Sequence, residues 1–449
     1  MSSKFRLTAL ALAAMVATSG LALANEGDVP DGIPELDHVF VIMLENHNAQ
    51  QIMGNPDAPF INSMLASPKV SYATNFYGVG HPSSTNYLET VGGSNFGVRS
   101  DNAPDWHNTS CEPNLRTGVV NADLSLPAPS SINAVSSNVC PIAGVGTDAE
   151  TPAIDSWNEV TPGTFNFLAN IDGFKSIPAA QGIDGKTIAD QLAAAGGSWK
   201  TYQETLPLAG PDGVDYSNGT VTDANFAKLP NVANLPSNPG SYVKAYAAKH
   251  NPFVYFKSVQ EGSKGLSFDN VRPFDGIGGL YADLATGRVP SFSFIAPNQC
   301  NDMHGRGNGD SFCGWDPLPT GTQVGLNPGL IAQGDATVAR LVGSIKASPA
   351  WKDGRNAIVV IWDENDYSGV KTLVQDPTTG AMSYPAGTPF TNNVLVTVET
   401  NYRRSPKVVS NNYYNHFSLL RSIEGGLGLP CLNHACDANV SVMADMFAK

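Results

Sequence analysis

Two apolar runs in this chain end abruptly in acid. Val39-Phe-Val-Ile-Met-Leu44 leads into Glu45-Asn46, and Ala357-Ile-Val-Val-Ile-Trp362 leads into Asp363-Glu364-Asn365-Asp366. Short apolar runs without alternation read as strands covered on both faces, the pattern of a parallel sheet. Strand character is found at residues 39–44, 198–202, 252–256, 292–296, 358–361 and 393–398, each short, apolar or β-branched and bounded by turn residues.

Between these runs the period changes from that of strands to that of helices. Residues 187–195 place apolar side chains at helical spacing, start at a capping threonine and stop at Gly196-Gly197. Residues 337–345 and 416–423 read the same way, the latter stopping at Gly425-Gly426. Alternating helices and strands predict an α/β fold with a mostly parallel sheet covered by helices.

Residues 94–165 and 207–239 interrupt this rhythm. They are rich in Asn, Ser, Pro and Gly without a sustained period, and are expected to be ordered insertions near the mouth of a site. No charged linker or internal repeat divides the chain, so residues 25–449 are read as one elaborated domain. Residues 1–24 stand apart: Lys4 and Arg6 precede an apolar run from Leu7 to Val16, and Ala22-Leu23-Ala24 closes a secretory signal pattern. No other apolar run reaches the ~18 residues of a membrane span. The expected product is exported to the periplasm or the medium, with no transmembrane segment.

Charge narrows the partners. The signal segment holds two of the 26 basic residues and no acid, leaving 24 against 40 and a net charge of −16 for the mature chain. Such acidity argues against nucleic acid and would slow an anionic substrate unless a bound cation reverses the local field. All six cysteines, at 111, 140, 300, 313, 431 and 436, lie in the mature part. Their spacings lack CxxC pairs, so disulfides are expected over zinc ligation, with neighbours in sequence paired: Cys111 with Cys140, Cys300 with Cys313, Cys431 with Cys436.

Chemistry concentrates at the ends of the predicted strands. Glu45, Asn46, Asp363 and Glu364 follow two of them, and the 292–296 run leads to Asn298, Cys300, Asp302 and His304. Clustered carboxylates at a sheet end are costly unless a cation or hydrogen-bond donors compensate. Gly80-His81-Pro82-Ser83-Ser84-Thr85-Asn86-Tyr87 opens a helical segment that stops at Gly92-Gly93, which puts Ser83 at or near a helix N-terminus. There the free N–H groups and the dipole would favour a phosphoryl oxygen and a serine alkoxide. Taken alone, this segment favours reading Ser83 as an N-cap, a very common use of serine. His416, after Asn415, opens the last strong helix as a site residue, a cap or a surface group.

The motifs LENHN, GHPSSTNY, APNQCNDMH, WDEND and NHFSLLRSIE, spread from Val39 to Glu424, resemble the signatures of the phosphoesterase family that contains acid phosphatases and phosphatidylcholine-type phospholipases C. That resemblance implies an alkaline phosphatase-like fold and a divalent metal, one ion or two. It casts Ser83 as nucleophile, with Ser84 one residue away as the ambiguity. Glu45, Asn46, Asp363, Glu364 and Asp302 are implied as metal ligands, His81, His304 and His416 as acid–base groups, and Asn86 and Asn298 as substrate contacts.

The expected activity is hydrolysis of small-molecule or lipid phosphate esters, with monoesters preferred. A phospholipase C-like diesterase needs an aromatic box or lipid-facing surface, which Trp106, Trp157, Trp199 and Trp315 do not assemble in sequence. From another class, a metal-stabilised binding protein without catalysis would keep the fold but has no need of Ser83 among acids.

Overall fold

The computed structural model describes residues 26–80, 83–96, 159–161, 164–165, 183–206, 246–262, 265–305, 328–365, 374–375, 382–383 and 392–448, and structural statements concern these residues. The signal segment, His81, Cys111, Cys140, Cys313, Asp366, most of the 94–165 insertion and all of the 207–239 insertion lie outside them.

Eight strands form the main sheet: β1 His38–Leu44, β2 Val70–Ala73, β3 Trp199–Gln203, β4 Val271–Pro273, β5 Phe292–Ala296, β6 Asn356–Trp362, β7 Val396–Thr400 and β8 Val409–Ser410. Their order across the sheet is β8-β2-β7-β6-β1-β5-β3-β4. All neighbours are parallel except β7, which runs against both β6 and β2. The α/β class with a mostly parallel sheet is therefore what the chain adopts.

The centre of the sheet explains the two apolar runs. Every residue of β6 and every residue of β1 after His38 is buried, because helices cover both faces and neither set of alternating side chains reaches water. Burying a Val, Leu, Ile or Phe contributes about 1.5–3 kcal/mol, so each central strand is a large share of the core. The covering helices include α1 Pro59–Ala66, α2 Ser83–Gly92, α3 Ile188–Ala195, α4 Leu280–Thr286, α5 Pro328–Ala347 and α6 His416–Gly426. None of the described helices is long and apolar enough to cross a membrane.

Local signals set the helix ends. Thr187 caps α3 by accepting from Ala189 N, and Gly196 ends it at φ 76°. Asn415 caps α6 by accepting from Ser418 N at 3.1 Å, so His416 is its first residue and is fully buried, neither cap nor surface group. Helix α5 spans 20 residues and extends the 337–345 segment in both directions.

One predicted strand is not a strand. Residues 252–256 form the 3-10 helix Pro252–Tyr255, with Phe256 N bonded to Phe253 O at 3.2 Å. Pro252 has no N–H for a ladder and its fixed φ suits the first turn of a helix; Phe256 alone bridges to Ile183. The 393–398 segment starts late: Asn393 and Val394 make isolated bridges and the ladder begins at Val396. Cys431 and Cys436 form a disulfide, as expected from their spacing. Cys300 is also disulfide-bonded.

Candidate active site

Four adjacent parallel strands, β6, β1, β5 and β3, end at the same edge of the sheet. Their exits are Asp363-Glu364, Glu45-Asn46, the loop to Asn298–Asp302, and Glu204. The carboxyl ends of parallel strands are where an open α/β sheet binds ligands. Main-chain bonds tie the exits together: Asp363 N donates to Leu44 O at 3.0 Å and Glu45 N to Asp302 O at 2.9 Å.

Helix α2 brings the serine to this edge. Gly78, on the approach to it, has no room for a side chain, since a Cβ there would lie 2.7 Å from Asp363 O. Ser83 is the first residue of α2 and is 1% exposed. Its hydroxyl does not simply cap the helix: Oγ lies 3.0 Å from Glu45 Oε2, 3.3 Å from Glu364 Oε1 and 3.4 Å from Asn46 Oδ1. A hydroxyl has one proton to donate, so three facing oxygens exceed what it can satisfy. Ser83, rather than Ser84, holds this position.

The carboxylates are buried and under-compensated. Asp363 Oδ1 accepts from Asn46 N at 3.1 Å, while Asp363 Oδ2, Asp302 Oδ2 and Glu45 Oε1 have no hydrogen-bond partner. Burial, then the Glu45 charge, pushes Asp302 well above the usual carboxylate range. Burial, then Glu45 and Glu364, does the same to Asp363. Burial would raise Glu45 too, but His250, with Lys249 and His304, reverses the sign and holds it below that range.

Those unpartnered oxygens supply the test of whether a divalent cation suits the residues. Carboxylates that force one another toward protonation are what a cation would reverse, and the oxygen-rich donor set of Glu45, Asn46, Asp363 and Glu364 suits a hard or borderline ion. Among the described residues no three His, Cys, Asp or Glu side chains are already gathered into a coordination cage.

Three groups that the motifs did not single out complete the site. His250 places Nε2 3.1 Å from Glu45 Oε1, without hydrogen-bond alignment, and Nδ1 3.5 Å from Asp302 Oδ2. It stacks on Tyr87 at 5.1 Å between ring centroids. Burial, then the charges of Glu45, Asp363 and Asp302, pushes the Tyr87 phenol far above its usual value, so it stays neutral. Lys249 Nζ donates to Ser83 Oγ at 3.4 Å. The available signal was Lys249-His250-Asn251-Pro252, a polar turn entering an apolar run, in a stretch read only for its strand character.

The remaining predicted residues divide by position. Asn86 is committed to the scaffold: Oδ1 accepts from Val79 N and Gly80 N at 2.9 Å each, and Nδ2 donates to Gly80 O at 2.8 Å and Glu364 Oε2 at 3.0 Å. It orients Glu364 and the segment before Ser83, with no hydrogen-bonding capacity left over for phosphate. Asn298 Oδ1 folds its own loop by accepting from Cys300 N and Asn301 N. That loop is pinned by Glu204, whose Oε2 accepts from Asn298 N and Asn301 Nδ2 while Arg340 binds Oε1 at 3.0 Å.

His304 donates through Nδ1 to Gly305 O at 2.8 Å, and burial, helped by Lys249, lowers its pKa to about 4. His416 reaches the site through the main chain, its Nε2 lying 2.6 Å from Asp363 O, and burial lowers it to about 4. The site loops also carry backbone strain: Asn46 and Met303 adopt φ of 45° and 83°, a region that non-glycine residues enter mainly where surrounding structure holds them.

The model of the Phosphoesterase family matches residues 56–312 and 327–430. An acid phosphatase of Aspergillus fumigatus is 26% identical over 266 residues, 59% of this chain and 36% of that protein. A probable acid phosphatase of Kluyveromyces lactis is 28% identical over 157 residues, 33% of this chain and 30% of its own length, so the chain spans about a third of these fungal relatives. A phosphatidylinositol-3-phosphatase of Mycobacterium tuberculosis is 28% identical over 436 residues, 96% of this chain and 91% of that protein. Among solved structures, an alkaline phosphatase superfamily protein from Vibrio parahaemolyticus overlays with a TM-score of 0.40 and 11% identity, over 92% of this chain and 72% of that one.

Proposed function

The chain belongs to the phosphoesterase family, a family of phosphoric ester hydrolases, and on that premise we propose that it hydrolyses phosphate monoesters through a phosphoserine formed on Ser83. The observation that carries this reading is the Ser83 hydroxyl, buried at a helix start and faced by Glu45, Asn46, Glu364 and Lys249 within 3.4 Å.

Ser83 Oγ attacks phosphorus, an Oγ–P bond forms, and the bond from phosphorus to the leaving oxygen breaks. The hydroxyl proton is lost to solvent water, with Lys249 beside Oγ favouring the alkoxide, because Glu45, held ionised by His250, Lys249 and His304, is too weak a base to keep it. The departing oxygen takes a proton from an imidazole. His250 and His304 lie in the carboxylate cluster, and His81 stands two residues before Ser83 in sequence. Water then gives a proton back to the imidazole and attacks phosphorus, the Oγ–P bond breaks, phosphate leaves and the Ser83 alkoxide takes a proton from solvent. Helix N–H groups and Lys249 meet the charge on the phosphoryl oxygens.

A divalent ion belongs to the same reading. Glu45, Asn46, Asp363 and Glu364 would hold it, with Asp302 on the neighbouring exit, and when bound it would supply the positive charge that lowers the serine pKa and polarises the phosphoryl group. The signal pattern at residues 1–24 and the Cys431–Cys436 disulfide support export to an oxidising compartment.

The substrate is proposed to be a small-molecule or lipid phosphate monoester. The fungal acid phosphatases and the mycobacterial phosphatidylinositol-3-phosphatase favour monoesters over the phospholipase C alternative. The test is the ratio of initial rates on a chromogenic phosphate monoester and its phosphocholine diester, using metal-replete protein from acid to neutral pH. Dominant monoester cleavage supports the proposal, and dominant diester cleavage overturns it in favour of a phospholipase C.

A further inference from the structure

We infer that Lys249 sets the preference for monoesters over diesters by pairing with the second negative charge of the phosphoryl dianion. This rests on the phosphoester reading of the Ser83 site and deepens it. Lys249 is the second of the three residues of a 3-10 turn, Ala248–His250. Its Nζ lies 3.4 Å from Ser83 Oγ, and its charge acts on Glu45, Asp302 and His304. The ammonium therefore lies beside the first residue of helix α2, against which its turn packs.

Geometry places that ammonium beside any phosphorus attacked by Ser83. A phosphorus in line with Oγ approaches to about 3–3.5 Å, so a donor next to Oγ lies within reach of a phosphoryl oxygen. A monoester dianion offers that oxygen with charge to spare. A diester offers a single negative charge, and one of its phosphoryl oxygens carries a carbon group that accepts a hydrogen bond poorly.

The carboxylates sharpen this contrast. Glu45, held ionised 3.0 Å from Ser83 Oγ, repels an anion, more strongly the dianion than the monoanion. Lys249 is the lysine placed against the nucleophile to counter that repulsion. His250, next in sequence, faces Glu45 and Asp302 instead, so the two residues divide the work: one meets the ligand cluster, the other meets the attacking oxygen.

The experiment compares kcat/KM for p-nitrophenyl phosphate and bis(p-nitrophenyl) phosphate in wild type, Lys249→Met and Lys249→Arg, with affinity for inorganic phosphate measured by calorimetry on each. In Lys249→Met the monoester-to-diester ratio is expected to fall at least tenfold, about 1.4 kcal/mol, and phosphate affinity to fall with it. Lys249→Arg should keep most of both. An equal loss on the two esters, or no loss, overturns the assignment while leaving phosphoester hydrolysis standing. If wild type turned over neither ester, the hydrolase reading itself would fall, and the phosphate titration alone would decide whether Lys249 binds a dianion.

Discussion

The two ends of the same central strands treat their acids in opposite ways. Where β1 and β6 begin, Asp37 accepts from Arg355 N at 2.7 Å, Glu35 pairs with the Arg355 guanidinium at 3.0 Å, and His38 Nδ1 lies 2.9 Å from Pro290 O. Where those strands end, Glu45, Asp363 and Glu364 are at most 1% exposed, and Glu45 and Asp363 each keep a carboxylate oxygen without a hydrogen-bond partner, the one on Glu45 facing His250 at 3.1 Å. A hollow of about 340 Å³ lined by Asp37, His38 and Asp353 lies at the satisfied end. Space alone therefore does not mark the site. What marks the candidate site is that buried acids from separate strand ends converge on one hydroxyl.

The sharpest break in the comparison is catalytic. Ser83→Ala should lower kcat on a phosphate monoester by about 10³-fold or more while leaving the thermal midpoint unchanged or raised, since it removes a hydroxyl and not a core contact. Activity retained in the folded variant would remove the serine from the mechanism.

The next largest effect concerns the cation. A divalent ion at a hundred times its Kd should stabilise wild type by about 2.7 kcal/mol, read as a rise in thermal midpoint on titration. Asp363→Asn should lose most of that rise. Asp37→Asn, at the other end of the sheet, should keep it and lose about 1 kcal/mol of basal stability with its hydrogen bond. Equal responses in the two variants would mean that the two ends do not differ as described.

The smallest effect tests whether buried acid alone accounts for the cation response. Glu424, on α6, is fully buried with both side-chain oxygens unpartnered, and burial pushes its pKa well above the usual value. For an acid raised in this way the folded state binds its proton more tightly. Stability is then fully present below the unfolded pKa and falls as pH rises through and above it. Glu424→Gln should therefore raise the thermal midpoint at pH 7, with the gain shrinking toward pH 4 and the cation response unchanged. A midpoint gain independent of pH would assign the effect to packing.

Much of this was legible in the chain. The continuous apolar runs of β1 and β6 announced covered parallel strands, because burial on two faces removes the alternation, and the acids after them pointed to the candidate site. Thr187 and Gly196 marked the ends of α3 through capping chemistry that is local. Strands β2, β4 and β8 were not legible, since two to four residues carry no period and form only because a neighbouring edge offers a ladder. Lys249 and His250 were missed for a related reason: they sit on a 3-10 turn far from Ser83 in sequence, and only the fold brings them to it. Tyr87 lay inside a quoted motif, yet its role depends on stacking against His250, which sequence does not display.

The central claim is that the uncompensated acids at the strand ends serve a nucleophilic serine. Its most direct test is to mix the metal-replete protein with a chromogenic monoester, quench in acid during turnover and map phosphorylation by peptide mass spectrometry. A phosphoryl group on Ser83, absent in Ser83→Ala and in protein stripped of metal, is the predicted result. Phosphate on Ser84 or another residue, or full turnover with no covalent adduct, would contradict it.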